Sequence, residues 1–168
     1  MESSKMRDAK YQSGFSLIEV LIAILLVGLA IASLVAANGA FTRANGAGTD
    51  LSTAEFLLEQ IRELTALLPV IDPETEDAVF GPEGTETLAN YDDLDDFDGA
   101  SFSPPIGVDR NLLTDFAGFS QQITVENVSA SDFEQVVGDH SSYFVRVTVK
   151  VSLNSRGISS MSWLRARY

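Results

Sequence analysis

The stretch GFSLIEVLIAILLVGLAIASLVAANGAF, which runs from Gly14 to Phe41, decides how this chain is organised. No charged residue occurs between Val20 and Ala37, and Ser33 is the only polar side chain in that interval. As an α-helix, a run of this size spans the hydrocarbon core of a bilayer, which is about 30 Å thick. The sequence therefore predicts a membrane-spanning helix over residues 15–42, preceded by a polar leader at residues 1–14.

The charges on either side of this run predict its orientation. Three basic residues precede it, whereas only Arg43 closely follows it. Because basic flanks stay preferentially on the cytoplasmic side, we expect the N-terminus in the cytoplasm and the C-terminus outside. A secretory signal peptide and an ordinary signal anchor are competing interpretations of the run, but neither explains Glu19. An ionisable side chain in a membrane helix costs up to about 2.5–3.5 kcal/mol at the bilayer centre and less near the end.

Residues Gly14 to Leu21, GFSLIEVL, resemble the processing and methylation motif of type IV pilins and type II secretion pseudopilins. The resemblance implies that a prepilin peptidase cuts between Gly14 and Phe15 and then N-methylates the new Phe15 amine. It also implies a role for Glu19 in assembly. Positions four apart share a helix face, so the Glu19 carboxylate can pair with the Phe15 amine of its own or a neighbouring subunit and set the register between subunits.

The same resemblance implies a minor pilin-like structural subunit of a type IV pilus or a type II secretion pseudopilus. Its implied partners are the prepilin peptidase, other pilin or pseudopilin subunits and the inner-membrane assembly platform. Its implied location is the bacterial inner membrane, followed by a periplasmic or cell-surface filament. A membrane-anchored periplasmic binding module that does not polymerise is the alternative function.

A second helical pattern follows the apolar run, and residues 43–68 are expected to continue the helix as an amphipathic one. Ser52-Thr53-Ala54-Glu55 fits a capping box, and Pro69 ends the pattern. Apolar residues recur at helical spacing and predict a face that covers a sheet: Ala54, Leu57, Leu58, Ile61, Leu64 and Leu68. Gly28, Gly39, Gly46 and Gly48 suggest bends or locally melted turns, because glycine costs about 1 kcal/mol in a helix interior.

Residues 69–118 are predicted to form an acidic irregular insert, since no lysine or arginine occurs between Arg62 and Arg110. An EF-hand register fails here, because Leu94 would take the first ligand position and Pro105 the position of the closing glutamate. Two alternatives stay open, a solvated acidic loop and an irregular calcium site. The candidate calcium ligands are Asp92, Asp93, Asp95, Asp96 and Asp98. No other metal or cofactor is expected. The tract also resembles one in the D-type minor pilins of mannose-sensitive haemagglutinin pili.

Residues 119–168 show strand patterns and are predicted to form an antiparallel β-sheet head. Residues 143–153 alternate, with one apolar face formed by Tyr143, Val145, Val147, Val149, Val151 and Leu153. A turn at residues 154–157 lets the chain pair back as a hairpin. Arg165 and Arg167 are expected to meet the acidic insert of the same or another subunit. The fold class is therefore α+β, with the C-terminal half of a long helix packed on a small sheet, as in pilins.

Composition excludes several classes of function. A formal net charge of -13 repels phosphates, so nucleic acid is not an expected partner. The chain has no cysteine, which rules out disulfides and thiolate chemistry, and its single histidine, His140, lies in a turn-like stretch. With no catalytic constellation in the sequence, we do not expect an enzyme.

Overall fold

The structure, a computed structural model, describes residues 14–70, 80–82 and 86–167. Its elements in chain order are α1 (Leu17–Thr65), a 3-10 helix (Asp95–Phe97), β1 (Ser101–Phe102), a second 3-10 helix (Thr114–Phe116), β2 (Phe119–Val128), β3 (Phe144–Leu153) and β4 (Arg156–Ala166). One long helix and a four-stranded antiparallel sheet confirm the α+β, pilin-like fold class. The predicted leader falls outside the described residues except for Gly14.

The chain divides into two compact units, residues 1–45 and residues 46–168. In the first unit, the large apolar side chains of α1 from Leu17 to Val35 are exposed. By length and composition, α1 can cross a membrane. Two of its polar side chains bond to its own backbone: the Ser33 hydroxyl donates to the Leu29 carbonyl and the Thr42 hydroxyl to the Asn38 carbonyl. Such internal bonds keep polar groups satisfied where water is absent.

The expected locally melted turns at the glycines are not present, because α1 is helical at every residue from Leu17 to Thr65, whereas bends at these glycines stay a prediction. A side chain added at Gly28, Gly46 or Gly48 would meet no atom within 4 Å, so no close packing explains these glycines. About 1 kcal/mol per glycine does not break a helix whose hydrogen bonds continue on both sides. For the same reason Ser52 lies in the helix interior and is not an N-cap, which corrects the predicted capping box.

In the second unit, the core forms between α1 and one face of the sheet. The helix contributes the fully buried side chains of Ala54, Leu57, Leu58 and Ile61, with Leu64 and Leu68 partly buried beside them. The sheet contributes Ile123, Val125, Val145, Val147, Val149 and Val151. This confirms that the second part of the helix packs on an antiparallel sheet. The segment at 69–118 also adds to the core, through Leu94, Phe97 and Ile106.

The sheet has the strand order β1-β2-β3-β4, with every neighbouring pair antiparallel. Thus one short edge strand, β1, comes from within the segment expected to be irregular. Between β3 and β4, Asn154 and Ser155 have φ values of 49° and 66°, which is the geometry of a two-residue type I′ hairpin. The predicted turn is confirmed, but Tyr143 precedes β3 and is 70% exposed, so its predicted place on the buried face is wrong.

A buried amide joins three parts of this unit. The Gln121 side chain donates to the carbonyls of Leu57 in α1 and Ile106, at 2.9 and 3.2 Å, and accepts from the Ile106 N–H at 2.8 Å. The side chain is fully buried, so leaving these groups unpaired would cost about 1–3 kcal/mol. The bonds therefore fix the segment around Ile106 between helix and sheet.

The sequence suggested that Arg165 meets the acidic insert, but within the described part of its own chain it does not. Its guanidinium donates to the carbonyls of Thr65 and Leu68, at 2.9 and 2.8 Å, at the C-terminal end of α1. The last carbonyls of a helix have no partner within the helix, and a cation there is also favoured by the helix dipole. Arg165 therefore ties β4 to the end of α1.

We expect Arg165→Met to lower the free energy of unfolding of the head by about 1.5–3 kcal/mol, the usual contribution of hydrogen bonds from a charged donor. Thermal unfolding of the full chain in detergent micelles, followed by circular dichroism, measures this change. Arg167→Met is the matched control, since Arg167 lies two residues along the chain and is exposed. Equal unfolding midpoints for the two variants would contradict the capping role.

Candidate functional site

The N-terminal end of α1 is defined by a side-chain cap. Gly14, Phe15 and Ser16 precede the helix, which begins at Leu17. The Ser16 hydroxyl accepts a hydrogen bond from the Glu19 N–H at 3.3 Å, and the Ser16 carbonyl accepts one from the Val20 N–H at 3.3 Å. These are the two bonds of an N-cap residue, and Ser-x-x-Glu is the capping-box spacing. The sequence analysis missed this cap, although the spacing was there to read.

The carboxylate of Glu19 has no hydrogen-bond or ion-pair partner among the described residues of this single chain. It lies in the first helical turn, where the helix dipole favours a negative charge. Its neighbours in the turn are exposed apolar side chains, with Phe15 83% exposed and Ile18 63% exposed. The assigned roles of Gly14, Phe15 and Glu19 therefore stay predictions.

Gly14 is not required by the fold of the described residues. It is not among the glycines with positive φ, and an added Cβ would meet no atom within 4 Å. By contrast, Gly81 and Gly99 have φ values of 103° and 70°, which few other residues adopt. Nothing in the part of the chain that the structure describes thus explains a glycine directly before Phe15.

The second candidate site is the acidic tract, whose five predicted ligands the structure separates. One carboxylate oxygen from each of Asp92, Asp93 and Asp96 lies within 4.8 Å of the others. Asp95 Oδ2 accepts the Gly81 N–H at 3.3 Å. Asp98 Oδ1 instead accepts the Val125 N–H in β2 at 2.8 Å, so Asp98 belongs to the sheet edge and not to the group.

The tract is not a solvated loop, which corrects one of the two expectations for it. Asp93, Asp95 and Asp96 are each only 1% exposed. Leu94, between Asp93 and Asp95, and Phe97, directly after Asp96, are fully buried in the core. The Tyr91 ring packs edge-on against the Phe97 ring, with centroids 5.1 Å apart. Because these apolar anchors draw a short 3-10 turn inwards, the intervening carboxylates follow them.

Burial leaves these aspartates short of hydrogen-bond donors. Asp93 Oδ1 accepts the Asp96 N–H at 3.1 Å, and Asp96 Oδ2 accepts the N–H groups of Asp92 and Asp93 at 3.0 and 3.4 Å. Three buried oxygens have no donor: Asp93 Oδ2, Asp95 Oδ1 and Asp96 Oδ1. Unpaired buried carboxylate oxygens are energetically costly, so this group needs a proton or a cation.

The pKa values of the three buried aspartates are raised accordingly. Burial is the largest cause, and it raises the pKa of Asp93 to about 7 and those of Asp95 and Asp96 to about 6. For Asp93, the neighbouring carboxylates of Asp95 and Asp92 add to the increase. For Asp96, the Asp93 charge and the adjacent Glu86 carboxyl act in the same direction. Like charges held together in a dry site favour the protonated form.

His140 offers no second site. It is exposed, has φ of 56° in a turn and packs edge-on against Phe80 with ring centroids 5.6 Å apart. Across residues 14–70, 80–82 and 86–167, the aspartate group is the only cluster with metal-ligand spacing.

Comparison with known proteins finds a known motif at the N-terminal end of the chain. The prokaryotic N-terminal methylation motif matches residues 9–36, which contain Gly14, Phe15, Glu19 and most of the apolar run. This motif is the type IV pilin signature, and with the long apolar helix it supports a type IV pilin-like, prepilin-processed protein that is anchored in a membrane. It points to a structural subunit and not to an enzyme. No curated protein and no solved structure matches the chain, so the likeness to D-type minor pilins stays a prediction.

We expect the head, without added metal, to be more stable at about pH 5 than at about pH 8. The unfolded aspartate titrates near 3.8, whereas folded Asp93 titrates at about 7. The folded state therefore holds extra protons between these values, and stability falls as pH rises through that window. Thermal unfolding of the full chain in detergent with EDTA tests this. Asp93→Asn should flatten the profile, and a midpoint that rises with pH would contradict the prediction.

Proposed function

We propose that this chain is a minor pilin-like structural subunit, cleaved by a prepilin peptidase between Gly14 and Phe15 and methylated at the Phe15 amine. It would then join other pilin or pseudopilin subunits, through the inner-membrane assembly platform, in a type IV pilus or a type II secretion pseudopilus. The observation that carries the proposal is the methylation motif at residues 9–36, set on a helix with exposed apolar side chains.

The proposed location follows from the same helix. Before assembly, the chain would be a single-pass protein of the bacterial inner membrane, with the N-terminus in the cytoplasm and the head outside. The basic residues before the apolar run support this orientation. After assembly, the same apolar helix would be buried among those of other subunits in a periplasmic or cell-surface filament.

The helix cap supports cleavage at the proposed bond. A peptide bond inside an α-helix is tied into the hydrogen-bond ladder, and a protease must unwind it first. Because Ser16 caps the helix, the bond between Gly14 and Phe15 lies just outside that ladder. The fold of the described residues does not require Gly14, so a glycine at this position would serve recognition by the peptidase.

The position of Glu19 supports assembly. Entering an apolar bundle with an unpaired carboxylate is costly, and an opposite charge relieves that cost. Cleavage creates such a charge at the Phe15 amine, four residues earlier. The neighbouring subunit would supply its Phe15 amine to this Glu19, so that the pair forms only at the correct axial register.

Processing is tested by the intact mass of the protein extracted from its native membrane. We expect the loss of residues 1–14 and the gain of one methyl group on Phe15. A Gly14→Asp variant should keep the leader, because the added side chain obstructs the peptidase while the helix cap is untouched. A native chain that keeps residues 1–14 would overturn the proposal and favour the anchored, non-polymerising binding module.

Assembly is tested by Glu19→Ala, expressed together with the assembly machinery. We expect normal membrane insertion and cleavage but at least about tenfold less protein in sheared filaments, since about 1.4 kcal/mol of lost pairing is a factor of ten. Glu55→Ala, which removes an exposed carboxylate further along α1, is the matched control and should assemble normally. Unchanged incorporation of Glu19→Ala would refute the pairing.

A further inference from the structure

The acidic tract brings three carboxylates together in a way that fits a single cation. Oxygens of Asp92, Asp93 and Asp96 lie within 4.8 Å of one another. Calcium binds oxygen at about 2.3–2.6 Å, so two oxygens on opposite sides of one ion are at most about 5 Å apart. The three side chains can therefore contact a common ion without rearrangement of the backbone.

Among the residues that the structure describes, no basic side chain forms an ion pair with this group. The chain has no lysine or arginine between Arg62 and Arg110. Arg110 is the nearest in sequence, but its guanidinium donates to the carbonyls of Leu88, Ala89 and Tyr91, at 2.9, 3.0 and 2.6 Å. The ion pairs within the described ranges all involve glutamates and none of these aspartates.

Buried oxygens without donors supply an independent indication of a ligand. Asp95 is not one of the three converging residues, yet it is 1% exposed and its carboxyl lies within hydrogen-bonding reach of the Asp93 carboxyl. Asp95 Oδ1, Asp93 Oδ2 and Asp96 Oδ1 are all buried and have no donor. Carboxylates stay together in a dry site only when a proton or a cation neutralises them.

We propose that Asp92, Asp93 and Asp96 bind a calcium ion. The carboxylate of Asp95, next to that of Asp93, adds negative charge near the ion. Calcium fits better than magnesium, because it accepts six to eight oxygens in irregular geometry, whereas magnesium demands a near-ideal octahedron. The partly open side at exposed Asp92 leaves room for water to fill the remaining positions. The Arg110 guanidinium fixes the carbonyls of Leu88, Ala89 and Tyr91, in the segment directly before the site.

The test is calcium titration of the full, unprocessed chain in detergent at about pH 8, by calorimetry and by thermal unfolding after treatment with EDTA. We expect one saturable binding event with CaCl₂ and a rise in the unfolding midpoint on the order of 5–10 °C at saturation. Asp93→Asn should fold, since the neutral side chain suits a buried position, but should bind calcium at least about tenfold more weakly. Asp98→Asn is the matched control from the same tract and should respond to CaCl₂ as the unaltered chain does.

Three outcomes would overturn the proposal. One is the absence of both heat and a midpoint shift with CaCl₂, which would leave protons as the neutralising species. The second is an equal response to MgCl₂ at the same concentration. The third is an undiminished calcium response in Asp93→Asn. Because the experiment needs neither cleavage nor assembly, its failure would leave the proposed function standing.

Discussion

The exposed apolar surface of α1 is the constraint on which the other features depend. From Leu17 to Val35, large aliphatic side chains are exposed all along the helix. Removing each such side chain from water is favourable by about 1.5–3 kcal/mol, so the single chain is unfavourable in an aqueous environment. A bilayer or a bundle of like helices satisfies this requirement, and both accept only a segment whose backbone bonds are closed internally. The unbroken helix and the internal bonds of Ser33 and Thr42 meet that condition.

The cap at Ser16 gives the motif a local physical meaning besides its role in processing. A helix begins where its first N–H groups find acceptors, and here the Ser16 hydroxyl provides one. The hydroxyl of the motif thus serves as the N-terminal cap, and the Glu19 carboxylate, which has no partner among the described residues, lies in the first turn. The glutamate has a second use only if a partner charge arrives from outside the chain.

Most of the architecture was predictable from the sequence, because it depends on local periodicity. Alternation from Val145 to Val151 identified the buried face of β3, and helical spacing from Ala54 to Ile61 identified the face that covers it. The predictions failed where distant contacts decide. Glycines do not melt a helix whose hydrogen bonds continue on both sides, and Ser52 does not start a helix that has already begun. The carbonyls that Arg165 caps lie about a hundred residues earlier in the chain. Sequence patterns rarely reveal contacts at such a separation.

Among the site residues, the roles of Gly14, Phe15 and Glu19 stay predictions from their motif, whereas one of the two alternatives for the acidic tract, a solvated loop, is wrong. Charge density alone suggested solvation, since carboxylates normally stay in water. The deciding residues were Leu94 and Phe97, whose burial in the core carries Asp93, Asp95 and Asp96 inwards. In the sequence, an apolar residue between charged residues indicates little, but once it is buried in the core it determines where its charged neighbours lie.

Holding several carboxylates inside a small head is unfavourable unless protons or a cation neutralise them, and near neutral pH protons are scarce. A divalent ion bound with the 10⁻⁴–10⁻³ M affinity typical of extracellular modules would suffice in a calcium-containing exterior, at about millimolar concentration. The stability of the head would then depend on which side of the membrane it occupies.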